Sequence, residues 1–203
     1  MSSTHTLKNA ASRFAWIVAA AAALQLAACS EDKPKFSAVD VTGAEYARDF
    51  QLTDHNGQAR SLKDFRGKVV VLFFGYTQCP DVCPTSMADL AHVKTLLGPQ
   101  GERLQGLFVT LDPERDKPQL LKTYMQNFDP SFLALYPTLD KLPDLAREFK
   151  IYYKKVEGPT PTSYSLDHSA GSYVFDTQGQ LRLYLRYGTA AAAVAQDIKQ
   201  LLR

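Results

Sequence analysis

Val69 to Met87 reads VVVLFFGYTQCPDVCPTSM: an unbroken apolar run ends in Gly75, and Cys79 and Cys83 follow, each with a proline after it. Continuous β-branched and aromatic residues predict a strand covered on both faces, the central strand of an α/β sheet. In open α/β sheets chemistry gathers just beyond the carboxyl end of such strands. The cysteine pair stands at that point.

The chain's 203 residues suit one globular domain with a sizeable core. Lys8 and Arg13 are the charged groups among the first 28 residues, which leaves 21 basic against 21 acidic residues in the remainder. A balanced, well-mixed charge excludes a nucleic-acid stripe and an acidic tail.

Those first residues read as a targeting segment. Lys8 and Arg13 form a basic region, Phe14–Leu24 is apolar and alanine-rich, and Leu26-Ala27-Ala28-Cys29 brings small residues up to a cysteine. A spanning anchor needs roughly 20 apolar residues, and this run is shorter and is interrupted by Gln25. Leu-Ala-Ala-Cys resembles the lipobox of bacterial lipoproteins, which implies cleavage before Cys29 and lipidation of its thiol. The expected organisation is a lipoprotein signal peptide at 1–28, a tether at 29–46 and one folded domain at 47–203. The expected location is the cell envelope, exported and lipid-anchored to a membrane facing the periplasm. With Cys29 committed to lipid, Cys79 and Cys83 remain in an oxidising compartment, as a disulfide, a metal site, or both in turn.

Along the folded part, Asp54-His55-Asn56-Gly57 predicts an N-terminal hairpin, because Asn-Gly favours a turn with positive φ. After the cysteines Pro84–Gly98 has helical periodicity. Leu104–Leu111 reads as a second strand, then a helix from about Lys117 to Phe128 with Asp116 as its cap and Pro118 in its first turn. A short strand at Phe132–Tyr136, a short helix at Leu142–Phe149 and an extended Ile151–Val156 come next. Gly158–Asp167 reads as a polar loop ending at His168. A hairpin around Asp176-Thr177-Gln178-Gly179 and a helix over Ala190–Leu202 close the chain. The expected class is α/β, a central mixed sheet flanked by helices, which by analogy looks like the thioredoxin fold.

Thioredoxin-type redox pairs have two intervening residues, and this pair has three: Pro80, Asp81 and Val82. Pro84 would clash with the Pro80 carbonyl in a continuous helix and disfavours the α region for Cys83, so the pair is expected on a loop with the helix starting near Pro84. A helix N-terminus should lower the thiol pKa values and favour thiolate. His55, in a turn, and His92, mid-helix, read as ordinary surface histidines. His168 differs, because it precedes a strand where thioredoxin-like redox proteins usually carry a cis-proline packed on the cysteines. Two thiolates and an imidazole are too few donors for a closed zinc site and well suited to Cu(I) or Cu(II). Dithiol–disulfide chemistry and a structural disulfide remain the alternatives at this level.

Phe74-Gly75-Tyr76-Thr77-Gln78-Cys79-Pro80-Asp81-Val82-Cys83-Pro84 resembles the signature of the Sco (SenC) family of copper chaperones. Leu111-Asp112-Pro113-Glu114-Arg115-Asp116 resembles its second motif and Asp167-His168 its third. The resemblance spans roughly Phe50–Leu202. It implies a thioredoxin-like fold, membrane attachment, copper on Cys79, Cys83 and His168, and a role in building the dinuclear CuA centre of cytochrome c oxidase. The implied partners are oxidase subunit II or another periplasmic copper chaperone. Gln78 departs from the histidine that the family commonly has there. Asp112 and Asp167 are candidates to stand behind His168, with loop and helix-capping roles as the plainer reading for Asp112 and Asp116. Asp81 reads as an exposed turn residue, and Phe73, Phe74 and Tyr173 as core. The same thiols would also serve a thiol–disulfide reductase that keeps a partner's cysteines reduced for metallation.

Overall fold

Val69–Gly75 forms a strand with every residue buried, as an uninterrupted apolar run requires. In this computed structural model, which describes residues 35–160 and 163–203, that strand is β4 of ten: β1 Val39–Asp40, β2 Leu52–Asp54, β3 Ala59–Arg60, β5 Leu104–Thr110, β6 Leu133–Tyr136, β7 Tyr153–Glu157, β8 Tyr164–His168, β9 Ser172–Phe175 and β10 Leu181–Leu185. The expected signal peptide, Cys29 and the start of the tether lie outside the described residues. Residues 36–203 make one compact unit.

Among the described residues, eight strands form one mixed sheet in the order β1-β10-β9-β4-β5-β6-β2-β3. β4, β5 and β6 run parallel, and the other neighbours are antiparallel. Helix α1 (Val82–Leu96) joins β4 to β5, and α2 (Pro118–Gln126) joins β5 to β6. Both crossovers step the same way across the sheet, so right-handedness puts both helices on one face. Helix α4 (Ala191–Leu201) packs against α1. Helix α3 (Leu142–Glu148) ends at Phe149, whose ring meets Phe74 at 5.1 Å and Tyr173 at 5.7 Å. β4 alternates its side chains between two filled layers, with Phe73 against Phe108 and Phe74 against Phe149. Phe73, Phe74 and Tyr173 are core, as expected.

The Asn-Gly hairpin forms at the sheet edge as β2–β3, with Gly57 at φ 81° and the Asp54 carboxylate accepting the Asn56 and Gln58 N–H groups. Four expectations need correcting. Residues 37–41, inside the stretch read as tether, are tied to the domain. The Asp197 carboxylate accepts the Ser37 and Ala38 N–H groups, and Val39–Asp40 pairs with β10. Helix α1 begins at Val82, so Cys83 is already helical. Pro84 falls in the first turn, where its missing N–H has no intrahelical partner to lose, and Pro80 lies outside the helix, so no ring clash arises. Asp116 does not cap α2; Lys117 occupies that position and the Asp116 side chain turns inward. The second half of the expected loop is strand β8, which pairs with β7 over its whole length as a two-stranded ribbon outside the main sheet. Among the described residues no helix is long and apolar enough to cross a membrane.

Candidate metal centre

The β4 strand ends at Gly75, and a tight turn follows in which the Cys79 N–H donates to the Tyr76 carbonyl at 3.2 Å. Asp116 braces this turn from beneath. Its carboxylate accepts the Thr77 N–H at 3.0 Å, the Thr77 hydroxyl at 2.5 Å and the Thr110 hydroxyl at 2.6 Å. Burial raises the Asp116 pKa from its ordinary value, opposed by these hydrogen bonds. The partners lie in β5 and in the cysteine loop, so one buried side chain locks the loop to the neighbouring strand.

Helix α1 then starts within reach of both sulfurs. The Cys83 N–H, one of the helix's unpaired first-turn donors, points at Cys79 Sγ at 3.4 Å. Cys79 is half-buried and Cys83 fully buried, both as free thiols. Burial pushes the Cys83 thiol strongly upward, with the neighbouring Cys79 adding to it. The expected lowering is therefore overturned for Cys83, because desolvation outweighs the helix end.

His168, the last residue of β8, completes the group. Its Nε2 lies 3.4 Å from Cys83 Sγ, and its Nδ1 lies 2.9 Å from the Ser169 carbonyl. A carbonyl can only accept, so Nδ1 carries the proton and Nε2 turns its lone pair towards the sulfur. Phe73 and Tyr76 meet the imidazole edge-on, with ring centroids 6.1 and 5.9 Å away. The ligand atoms of Cys79, Cys83 and His168 all lie within 4.8 Å of one another. Bonds of about 2.0–2.3 Å allow two ligands of one ion to stand up to roughly 4.6 Å apart. A small contraction would close this set on a single ion. A cleft of about 320 Å³, bordered by Cys79, Pro80, Asp81, Val82 and His168, gives access from solvent.

Other candidates fall away from the group. Asp112 is buried, but Arg115 Nε and the Tyr164 hydroxyl occupy its carboxylate, and it does not orient His168 directly. Asp167 is exposed and stands on the rim of the cleft. His55 Nδ1 accepts the Ala134 N–H at the sheet edge, and His92 is exposed on α1. Arg115, Tyr164 and Tyr76 carry contacts that sequence reasoning did not assign. Arg115 lies inside the Leu111–Asp116 motif, and that placement was the available signal.

A parallel β4-β5-β6 core with a dithiol at the end of β4 and an imidazole facing it defines a thioredoxin-like protein with a soft three-donor group. The chain belongs to the SCO1/SenC family, whose model matches residues 39–203. An SCO2-like protein of Rickettsia conorii is 32% identical over 167 residues, covering 81% of this chain and 80% of the relative. The structure of Bradyrhizobium japonicum ScoI with copper bound is similar at a TM-score of 0.69 and 35% identity, over 75% of this chain and 97% of that one. Apo Sco1 of Thermus thermophilus is similar at a TM-score of 0.73 and 35% identity, over 84% and 99%.

Proposed function

We propose that this protein is a copper chaperone that holds Cu(I) or Cu(II) on Cys79, Cys83 and His168. On this reading it is anchored to a membrane through lipid on Cys29 and delivers copper to the CuA centre of cytochrome c oxidase, or assists that centre's assembly. The observation that carries the reading is the convergence of two sulfurs and one imidazole nitrogen within 4.8 Å. Family membership and the copper-bound ScoI relative support copper as the cargo, and two thiolates with one imidazole match its preference for soft donors. Loading requires both thiols to lose their protons, so copper uptake releases protons to solvent. The Nε2 lone pair already faces Cys83 Sγ. Transfer proceeds by ligand exchange, with incoming thiolates or imidazoles replacing these donors one at a time.

The reduced full-length chain is expected to bind one equivalent of Cu(I) in competition with a colorimetric chelator. After oxidation of the pair to a Cys79–Cys83 disulfide, a loss of two electrons and two protons, binding should disappear. Absence of stoichiometric uptake by the reduced chain would end this reading. The free, adjacent thiols also favour a second one, a thiol–disulfide reductase acting on a copper acceptor. That activity needs no imidazole ligand, so disulfide reduction should survive His168→Ala and vanish without either cysteine.

Gly75 sets how closely Cys83 approaches the strand. A Cβ there would stand 2.7 Å from Cys83 Sγ, 2.9 Å from the Phe73 ring and 3.0 Å from the Phe108 ring. Gly75→Ala is expected to cost about 1–3 kcal/mol of stability through overpacking and to weaken copper binding roughly tenfold by displacing a ligand. Thermal melts and the same competition assay would read both effects.

A further inference from the structure

His168 is carried by the β7–β8 ribbon, which no ladder joins to the main sheet among the described residues. Something must hold the ribbon over the cysteine loop. Alternation along β8 turns Tyr164, Leu166 and His168 inward, with Leu166 buried and Ser165 and Asp167 exposed. At the ribbon's base Ser169 and Tyr152 exchange two hydrogen bonds, at 2.9 and 3.0 Å. At the far end, Tyr164 meets Arg115.

Arg115 grips that residue at its backbone and its ring. Nη1 donates to the Tyr164 carbonyl at 2.8 Å, and the guanidinium carbon lies 3.5 Å from the Tyr164 ring centroid. The Tyr164 hydroxyl donates at 2.8 Å to Asp112, whose other oxygen pairs with Arg115 Nε. Arg115 Nη1 also donates to Gln78 Oε1 at 3.1 Å, immediately before Cys79. A single planar cation therefore touches both segments that carry the metal-binding group, and its charge is balanced by a buried carboxylate.

We propose that Arg115 is a positioning residue for the imidazole, latching the β7–β8 ribbon to the cysteine loop and so keeping His168 Nε2 within reach of the sulfurs. The role in copper binding rests on the reading above; the latch itself is a property of the metal-free protein. A lysine would keep the charge but lose the planar fork and the ring stacking, so it substitutes only in part.

The test compares Arg115→Ala and Arg115→Lys with the parent full-length chain. In metal-free protein, amide exchange across β7–β8 is expected to quicken about tenfold in Arg115→Ala, with β4 and β5 unchanged, and by less in Arg115→Lys. Copper affinity should fall about tenfold, as it does when groups supporting a ligand are removed. In a His168→Ala background, Arg115→Ala should cost no further affinity. Unchanged ribbon exchange, exchange that quickens equally in β4 and β5, or a copper loss fully additive with His168→Ala would each overturn the latch. Should Arg115→Ala not fold, the lysine variant decides alone, and parental exchange and affinity would count against the proposal. A parent chain that binds no copper would defeat the functional reading, while the exchange measurement would still decide the latch.

Discussion

Cys83→Ala is expected to abolish stoichiometric copper binding, whereas His168→Ala should weaken it by about 100-fold and leave a residual dithiol site. Groups that merely support a metal ligand cost about 10–100-fold when removed, so loss of a ligand should reach at least the upper end of that range. The two variants differ because of what remains. Without Cys83 the remaining donors are one sulfur and one imidazole on separate segments, with the central contact between them gone. Without His168 the two sulfurs still lie within 4.8 Å of each other at the start of α1. Chelator competition on each reduced variant gives the affinity, and circular dichroism checks that the fold survives. Parental affinity in Cys83→Ala would remove that sulfur from the site.

Phe74→Ala is expected to remove about 3–5 kcal/mol of stability, a large share of the roughly 5–15 kcal/mol that holds a typical domain together. Phe74 is fully buried in the central strand, with its ring against Phe149 at 5.1 Å and Tyr173 at 6.4 Å. Phe149 and Tyr173 are themselves buried and meet each other at 5.7 Å, so truncation leaves a cavity lined by packed aromatic rings. The metal group sits on the other face of β4, by way of Phe73, so copper affinity of the folded fraction should stay near parental. Urea denaturation followed by circular dichroism measures the first effect and chelator competition the second. A cost below ~1 kcal/mol would mean that the core around Phe74 repacks.

The central strand, the Asn-Gly hairpin and the closing helix were legible because each signal is local: an unbroken apolar run, a turn dipeptide, an alanine-rich stretch. Strand β8 was not. Only Leu166 of its five residues is buried, and Tyr-Ser-Leu-Asp-His after a proline-containing segment carries the polarity of a loop. Its partner is β7, and pairing between two largely exposed strands leaves little trace in hydropathy. The start of α1 was misplaced by two residues for a steric reason. A proline ring excludes a helix only where the carbonyl four residues back belongs to it, and the helix begins after Pro80.

At the site, residue types and motif spacing pointed to Cys79, Cys83 and His168, and the fold brings these three together across 85 residues of chain. What surrounds them was not legible. Asp116 reads locally as a cap, yet its partners include Thr77, 39 residues away. Arg115 stands in the sequence only as part of the Leu111–Asp116 motif, yet it meets Gln78 and Tyr164 at separations of 37 and 49 residues. A single sequence records side-chain chemistry but not which distant groups fold into contact. The rise in the Cys83 pKa escaped for the same reason, because complete burial is a property of the assembled core.

If the protein hands on copper as proposed, the separateness of the β7–β8 ribbon bears on how that cargo is surrendered. Two donors are rooted at the junction of the central strand and its helix, which cannot shift without disturbing the core. The third rides on an appendage that can tilt away while every ladder of the main sheet stays intact. The site is therefore built like a vice with one fixed jaw and one hinged jaw. On the proposed reading, opening the hinged jaw would expose a face of the ion to an acceptor while the fixed jaw kept it from escaping into solvent.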